Sequence, residues 1–94
     1  MKALTGYCDA NGIRLISDEI YHGITYEGAG ETALSFTDDA FIVNSFSKYY
    51  SMTGWRVGWM VVPEDLHRSV ECLAQNLFIS VPALSQRAAC AAFD

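Results

Sequence analysis

The sequence predicts an α/β fold, in which a small sheet is flanked by helices. Two short apolar runs, 40–43 and 57–62, are bounded by polar residues, which is typical of buried strands. Near the N-terminus a helix-like segment is followed closely by a strand-like one, as in α/β proteins. Beyond the last apolar run, apolar residues recur at helical spacing over 66–77. We therefore expect about three strands with helices packed around them.

The first helix is predicted to end at Asn11. Gly12 then suits a left-handed C-terminal cap. One face of this helix is apolar, and it consists of Ala3, Leu4, Tyr7 and Cys8. A short strand is predicted over 13–17, and Asp18 follows it. Because ligands in open α/β sheets gather at the carboxyl ends of strands, we expect Asp18 to be placed for chemistry. A helix N-cap or turn role is the alternative.

The segment 22–39 is predicted to be a connection, because glycines at three positions favour turns (Gly23, Gly28 and Gly30). Within it, 25–26 is predicted to form a brief extended piece, and 33–36 is predicted to pack back on the core. The central strand is predicted over 40–44. A loop over 45–53 contains Lys48, and Gly54 is expected to allow a tight backbone turn.

After the strand 57–62, a helix is predicted to begin at Pro63, because proline suits the first turn and two acidic residues follow it. Its apolar face is formed by Leu66, Val70, Leu73 and Leu77. A break over 80–82 precedes a second, alanine-rich helix over 83–93.

Composition limits the classes of function. The chain has 94 residues, of which 51% are hydrophobic, with a formal net charge of −5 and an isoelectric point near 4.7. This size allows one small domain, and the acidity argues against a nucleic-acid partner. No apolar run approaches the length of a membrane span. Three widely spaced cysteines and two isolated histidines predict neither disulfides nor a metal site, and indicate the cytosol.

The position of the loop lysine, Lys48, indicates a chemical role that composition alone does not reveal. A lysine beside buried strand ends should lose hydration, and a neutral amine can form a Schiff base with a carbonyl. Arg56, eight residues later, offers a planar fork of donors that suits a phosphate. An amine for an aldehyde and a guanidinium for a phosphate together suit pyridoxal phosphate. The alternative is a solvated loop lysine and an ordinary surface arginine.

The run over 45–58, Ser-x-Ser-Lys-x-x-x-Met-Thr-Gly-Trp-Arg-x-Gly, resembles the lysine segment of the class I aminotransferases, which are fold-type I pyridoxal phosphate enzymes. Upstream, 18–21 resembles the Asp-Glu-x-Tyr signature of the same family. The resemblance implies a three-layer α/β/α fold with a mixed, mostly parallel sheet, whose last strand in this chain is antiparallel. It also implies that 1–94 is part of the large, cofactor-binding domain.

The resemblance implies a role for each matching residue. Lys48 would hold the cofactor as a Schiff base and then act as the general base, while Asp18 would pair with the pyridine nitrogen. Tyr21 would donate to the phenolic oxygen of the cofactor, unless it is only a half-buried packing residue. Ser45 and Arg56 would hold the phosphate. Ser47 is a weaker phosphate ligand, and Glu19 is expected to be structural or solvated.

The activity implied is transfer of an amino group from an amino acid to a 2-oxo acid, in the aspartate, aromatic and alanine transaminase group. Other parts of the family site are absent from this stretch, so the chain alone is expected to be inactive. Its apolar surface predicts a homodimer or a swapped oligomer. Three alternatives stay open: a β-lyase or synthase of the same fold type, the aminotransferase-like sensor domain of a transcription regulator, and an inactive remnant.

Overall fold

A computed structural model describes residues 1–93 and confirms the α/β class. The three strands follow the first helix and precede the other two: α1 Lys2–Ala10, β1 Leu15–Asp18, β2 Ala40–Ser45, β3 Gly58–Val61, α2 His67–Leu77 and α3 Ala83–Ala91. Short 3₁₀ turns lie at Ala33–Ser35, Thr53–Trp55 and Glu64–Leu66. The predicted helices and the three main predicted strands are therefore present, although several are shorter than expected.

The three strands form one mixed sheet in the order β1-β2-β3. β1 pairs with β2 in parallel, with Asp18 opposite Val43. β3 runs antiparallel to β2, with Gly58 opposite Ser45. The central position of β2 and the antiparallel direction of β3 confirm the expectation. As a result, the carboxyl ends of β1 and β2 and the amino end of β3 lie at one edge of the sheet.

Two small apolar clusters hold the chain together. The first joins the sheet to the turn Ala33–Ser35 and contains Ala33, Ala40 and Ile42, with Leu15 packed against it. This confirms that 33–36 packs back on the core. The second cluster lies beside the lysine loop and fixes α3 against it; its buried members are Phe46, Met52, Val57 and Ala89.

The predicted apolar helix faces are largely uncovered. In α1 the buried residues are Thr5 and Cys8, whereas Leu4 and Tyr7 are exposed. In α2 no residue is buried, and Leu73 is 60% exposed. The chain is only 18 Å thick along its shortest axis, which leaves room for little more than one layer of helices on a sheet.

One local prediction is wrong. The 25–26 piece is not extended: the chain bends there and Tyr26 is fully exposed. The tight turn predicted at Gly54 is present as the 3₁₀ turn Thr53–Trp55. In the same loop, Ser51 (φ 55°) and Arg56 (φ 51°) have left-handed conformations. Gly12 has the predicted left-handed conformation, with a φ of 63°.

At the edge of the sheet opposite to Lys48, one arginine joins three segments. The Arg14 guanidinium lies 2.6 Å from Asp39 Oδ1 and 3.2 Å from Asp65 Oδ2. Hydrogen bonding to Asp65 raises the pKa of Arg14 above its ordinary value. Arg14 therefore stays charged and connects the residues that precede β1, β2 and α2.

The cysteines are free thiols on the three helices, at Cys8, Cys72 and Cys90. Within 1–93, every helix is too short or too polar to cross a bilayer.

Candidate functional site

The sheet topology brings the two sequence motifs to one edge. Asp18 is the last residue of β1, Lys48 lies three residues beyond β2, and Arg56 lies two residues before β3. Because β1 and β2 are parallel and β3 is antiparallel to them, these positions share an edge of the sheet. We call this edge, with the turn 18–24 and the loop 46–57, the motif edge.

Asp18 has an exposed carboxylate, and its Oδ1 accepts from the Ile20 N–H at 3.2 Å. The backbone N–H of Glu19 donates to the Val43 carbonyl at 2.8 Å, which extends the pairing of β1 with β2 by one residue. Asp18 thus shapes the turn that follows β1, as the turn alternative predicts. The hydrogen bond to Ile20 uses only Oδ1, so the second carboxylate oxygen of Asp18 takes no part in it.

Glu19 is buried and structural. Its Oε1 accepts from Ser17 Oγ at 3.1 Å and from the Ala33 N–H at 2.9 Å, and its Oε2 lies 3.4 Å from His22 Nδ1. These contacts join the end of β1, the turn after it and the start of the Ala33–Ser35 turn. The structural option predicted for Glu19 is therefore confirmed.

Lys48 is exposed, so the expected dehydration of its amine is wrong for this chain. The reason is that the loop 46–51 turns away from the strand end, with Phe46 and Ser47 buried and Lys48 outward. Its Nζ lies 5.7 Å from the centroid of the Tyr21 ring, within the range of a cation–π contact. Tyr21 is 60% exposed, so it is not a half-buried packing residue.

The two serines belong to a hydrogen-bonded loop. Ser45 Oγ accepts from the Ser47 N–H at 3.0 Å and lies 3.1 Å from the Val57 carbonyl oxygen. The two hydroxyl oxygens are 2.9 Å apart, and Ser47 is buried. Thr53 Oγ1 donates to the Ser47 carbonyl at 2.8 Å. Ser45 is the more accessible of the two serines.

Arg56 is exposed and lies two residues before β3. Its left-handed backbone places the side chain over the preceding turn, where Nη1 donates to the Thr53 carbonyl at 3.1 Å. The single hydrogen bond leaves other guanidinium donors for a ligand.

One contact between the turn 18–24 and the loop 46–57 has no signature in the sequence. The ring of Tyr49 lies against the backbone of Gly23, across 26 residues of chain. Neither residue stands out from its local pattern, because a glycine in a turn and a tyrosine in a loop are both ordinary. Only a pairing of the two positions in three dimensions reveals the contact.

A cavity of about 730 Å³ lies away from the motif edge. It lies at the opposite edge of the sheet, and its lining is mainly acidic: Asp9, Thr37, Asp38, Asp39, Pro63, Glu64 and Asp65. A second cavity of about 260 Å³ is lined by Met60 and apolar residues of α2. The chemistry-bearing side chains thus lie on an open edge rather than in either cavity.

Known proteins of one family are similar to this chain along nearly its whole length. The family model for aminotransferase class I and II matches residues 1–94. The chain is 53% identical to the valine–pyruvate aminotransferase of Mycobacterium tuberculosis over 99% of its own length and 24% of that protein. It is 45% identical to the (5-formylfuran-3-yl)methyl phosphate transaminase of Methanocaldococcus jannaschii, over 85% of this chain and 22% of that protein.

The fold of the chain is also similar to that of solved aminotransferases. A crystal structure of an aminotransferase from Mycobacterium tuberculosis superposes with a TM-score of 0.92 at 53% identity, over 99% of this chain and 26% of that one. The chain therefore spans about a quarter of the length of the relatives it matches. On the evidence of sequence and fold together, the chain belongs to the aminotransferase class I and II family.

Proposed function

We propose that this chain is the cofactor-anchoring part of the large domain of a pyridoxal phosphate-dependent aminotransferase. One observation carries the proposal. The mixed sheet places Asp18, the Lys48 loop and Arg56 at a single edge, with the Lys48 amine facing the ring of Tyr21. If the two motifs lay at different edges of the sheet, one ligand could not contact both of them.

The donor set of the motif edge fits the cofactor. Pyridoxal phosphate offers an aldehyde, a phosphate, a basic pyridine nitrogen and a phenolic oxygen. The chain offers an amine at Lys48, a guanidinium at Arg56, a carboxylate at Asp18 and a phenol at Tyr21, all exposed. Each group of the ligand therefore has a complementary side chain.

When bound, the cofactor supplies an electron-poor ring that draws electron density from the α-carbon of the amino acid. Asp18 would keep the proton on the pyridine nitrogen by charge pairing. Lys48 would hold the cofactor through its aldehyde and, once released, would accept the α-proton at Nζ. Arg56 and Ser45, with Ser47 as a weaker partner, would bind the phosphate, and Tyr21 would donate to the phenolic oxygen.

For the whole protein we propose transfer of an amino group from an amino acid to a 2-oxo acid, by a homodimer in the cytosol. The aminotransferase names of the relatives support the reaction type, and the three free thiols support a reducing compartment. The two relatives named above differ in substrate, so the donor does not follow from similarity. Since the chain spans about a quarter of its relatives' length, we propose that it has no transaminase activity by itself.

Titration with pyridoxal phosphate tests the anchoring role. The chain has only two lysines, Lys2 and Lys48, which makes a matched pair of variants available. We expect a saturable absorbance change in the wild-type chain and in Lys2→Ala, and none in Lys48→Ala. Borohydride reduction followed by peptide mass spectrometry should place the pyridoxyl group on Lys48.

Equal modification of both lysines, or an unchanged titration in Lys48→Ala, would refute the anchoring role. The circular dichroism spectrum of each variant serves as the control for folding. Measurable transamination by the purified chain would refute the proposed inactivity without touching the anchoring role.

A further inference from the structure

The two motif segments touch directly at Gly23 and Tyr49. A Cβ built on Gly23 would lie 2.8 Å from both Cγ and Cδ2 of Tyr49, and 3.2 Å from its Cβ. These atoms are at the base of the tyrosine side chain, so the ring cannot yield by moving only its far end. The Tyr49 ring therefore packs directly on the Gly23 backbone and fills the space that a side chain at position 23 would need.

Space, not backbone conformation, is what requires glycine at position 23. The positive-φ glycines among the described residues are Gly12 and Gly28, and Gly23 has an ordinary φ. Alanine could adopt the same backbone. The cost of a side chain at this position would come from Tyr49 alone.

On the Gly23 side of the contact, His22 fixes the turn 18–24 through contacts with Glu19 and Gly30. The His22 N–H donates to the Glu19 carbonyl at 3.0 Å, and His22 Nδ1 lies 3.4 Å from Oε2 of the buried Glu19 carboxylate. Gly30 packs against His22, since a Cβ there would lie 2.9 Å from His22 Cγ and 3.2 Å from its Cα. A side chain at Gly23 would therefore push the lysine loop rather than the turn.

The loop on the other side is held by aromatic packing. The Tyr49 ring meets the Tyr50 ring edge-on, with centroids 5.0 Å apart. Tyr50 in turn packs on the buried Phe46, at 5.1 Å. Tyr49 thus contacts Gly23 on one side and Tyr50 on the other, and its backbone is directly bonded to that of Lys48.

We propose that the Gly23–Tyr49 contact is a positioning device that sets where the Lys48 amine lies relative to Tyr21. Lys48 precedes Tyr49 by one residue and Tyr21 precedes Gly23 by two, so the contact fixes the spacing of the two motif side chains. The functional meaning of that spacing rests on the proposed function. Gly23 and Tyr49 themselves need touch neither cofactor nor substrate.

Competitive acetylation measures the position of Lys48 without any cofactor. With trace acetic anhydride, the labelling of Lys48 is expressed as a ratio to Lys2, the only other lysine. In the wild-type chain the Tyr21 ring covers one side of the Lys48 amine. Tyr21→Leu removes that cover and serves as the positive control, which raises the ratio.

We expect Gly23→Ala to raise the ratio at least about twofold, the low end of the coupling between contacting residues. Gly54→Ala, a glycine of the same region with nothing within 4 Å, should leave the ratio unchanged. Tyr49→Ala should also raise the ratio. Adding Gly23→Ala to Tyr49→Ala should then have no further effect, because the obstructing ring is gone.

An unchanged ratio in Gly23→Ala, or an equal effect of that change with and without Tyr49, would overturn the proposal. If Gly23→Ala does not fold, the labelling ratio of Tyr49→Ala tests the proposal by itself. This variant should fold, because the half-exposed Tyr49 ring can be removed without leaving a cavity in the core. An unchanged ratio in Tyr49→Ala would also overturn the proposal. Failure of the wild-type chain to capture pyridoxal phosphate, with a responsive ratio, would reject the proposed function and leave this contact standing.

Discussion

At the scale of single residues, one buried carboxylate organises the end of β1. Glu19 accepts two hydrogen bonds, from Ser17 and Ala33, and lies 3.4 Å from the His22 ring nitrogen Nδ1. Its neighbour Asp18 stays exposed. Adjacent acids thus have separate tasks, because successive side chains of an extended backbone point to opposite sides.

Glu19→Ala should destabilise the chain by about 1–3 kcal/mol, the usual cost when buried donors lose their acceptor. The affected donors are the Ala33 N–H and the Ser17 hydroxyl. Urea unfolding monitored by circular dichroism measures the change. Glu27→Ala, at an exposed glutamate of the same connection, should unfold like the wild type. Equal stability of the two variants would show that the Glu19 contacts contribute little.

At the scale of elements, the close approach of β2 and β3 depends on Gly58. A Cβ at this position would lie 2.5 Å from the Asn44 carbonyl oxygen and 3.2 Å from Ser45 Cα. Both atoms belong to the backbone of β2, which cannot rotate away. The glycine therefore sets the distance between the strand that precedes Lys48 and the strand that follows Arg56.

Gly58→Ala should lower the free energy of unfolding by about 1–3 kcal/mol, as overpacking does. It should also disturb Ser45, which pairs with Gly58 in the sheet. Thermal unfolding tests the first effect. Gly54→Ala is the matched control, because that position has open space and an ordinary φ, and its stability should be unchanged or slightly raised. A Gly58→Ala variant as stable as Gly54→Ala would contradict the packing argument.

At the scale of the whole molecule, the chain is a thin slab with an open face. It exposes 6869 Å², whereas a compact monomer of 10.4 kDa exposes about 5,400 Å². Its radius of gyration is 15.0 Å, against about 12 Å for a compact domain of this length. The open face includes Ile16 of β1, 68% exposed, and Met60 of β3, which borders the apolar groove along α2.

This excess is about 1,500 Å², comparable to what a standard protein–protein interface buries in total. We expect the isolated chain to self-associate as its concentration rises, because the open face is apolar. Sedimentation or light scattering after size exclusion measures this. Leu73→Glu combined with Leu77→Glu should weaken association, while Gln75→Glu, outside the groove lining, should not. A chain that stays monomeric throughout the accessible range would contradict the expectation.

The sequence by itself determined the element order, the central position of the Lys48 strand, and the motifs that identify the family. These features are local: apolar runs, helix-start residues and a fixed spacing of functional residues can be recognised along the chain. It also indicated a structural option for Glu19, since that residue lies inside a motif whose chemistry belongs to its neighbours. Strand and helix ends differed by a few residues, because pairing partners decide where regular structure stops.

Only the tertiary structure decided how the two motifs meet and how much of the chain is buried. The exposure of Lys48 and of the apolar faces of α1 and α2 depends on which surfaces find a partner, and local periodicity does not contain that information. The left-handed backbone falls on Ser51 and Arg56, and local propensity does not predict it because such residues rarely adopt a positive φ. The Gly23–Tyr49 contact joins residues 26 positions apart, and it exists because the sheet brings the ends of β1 and β2 to one edge.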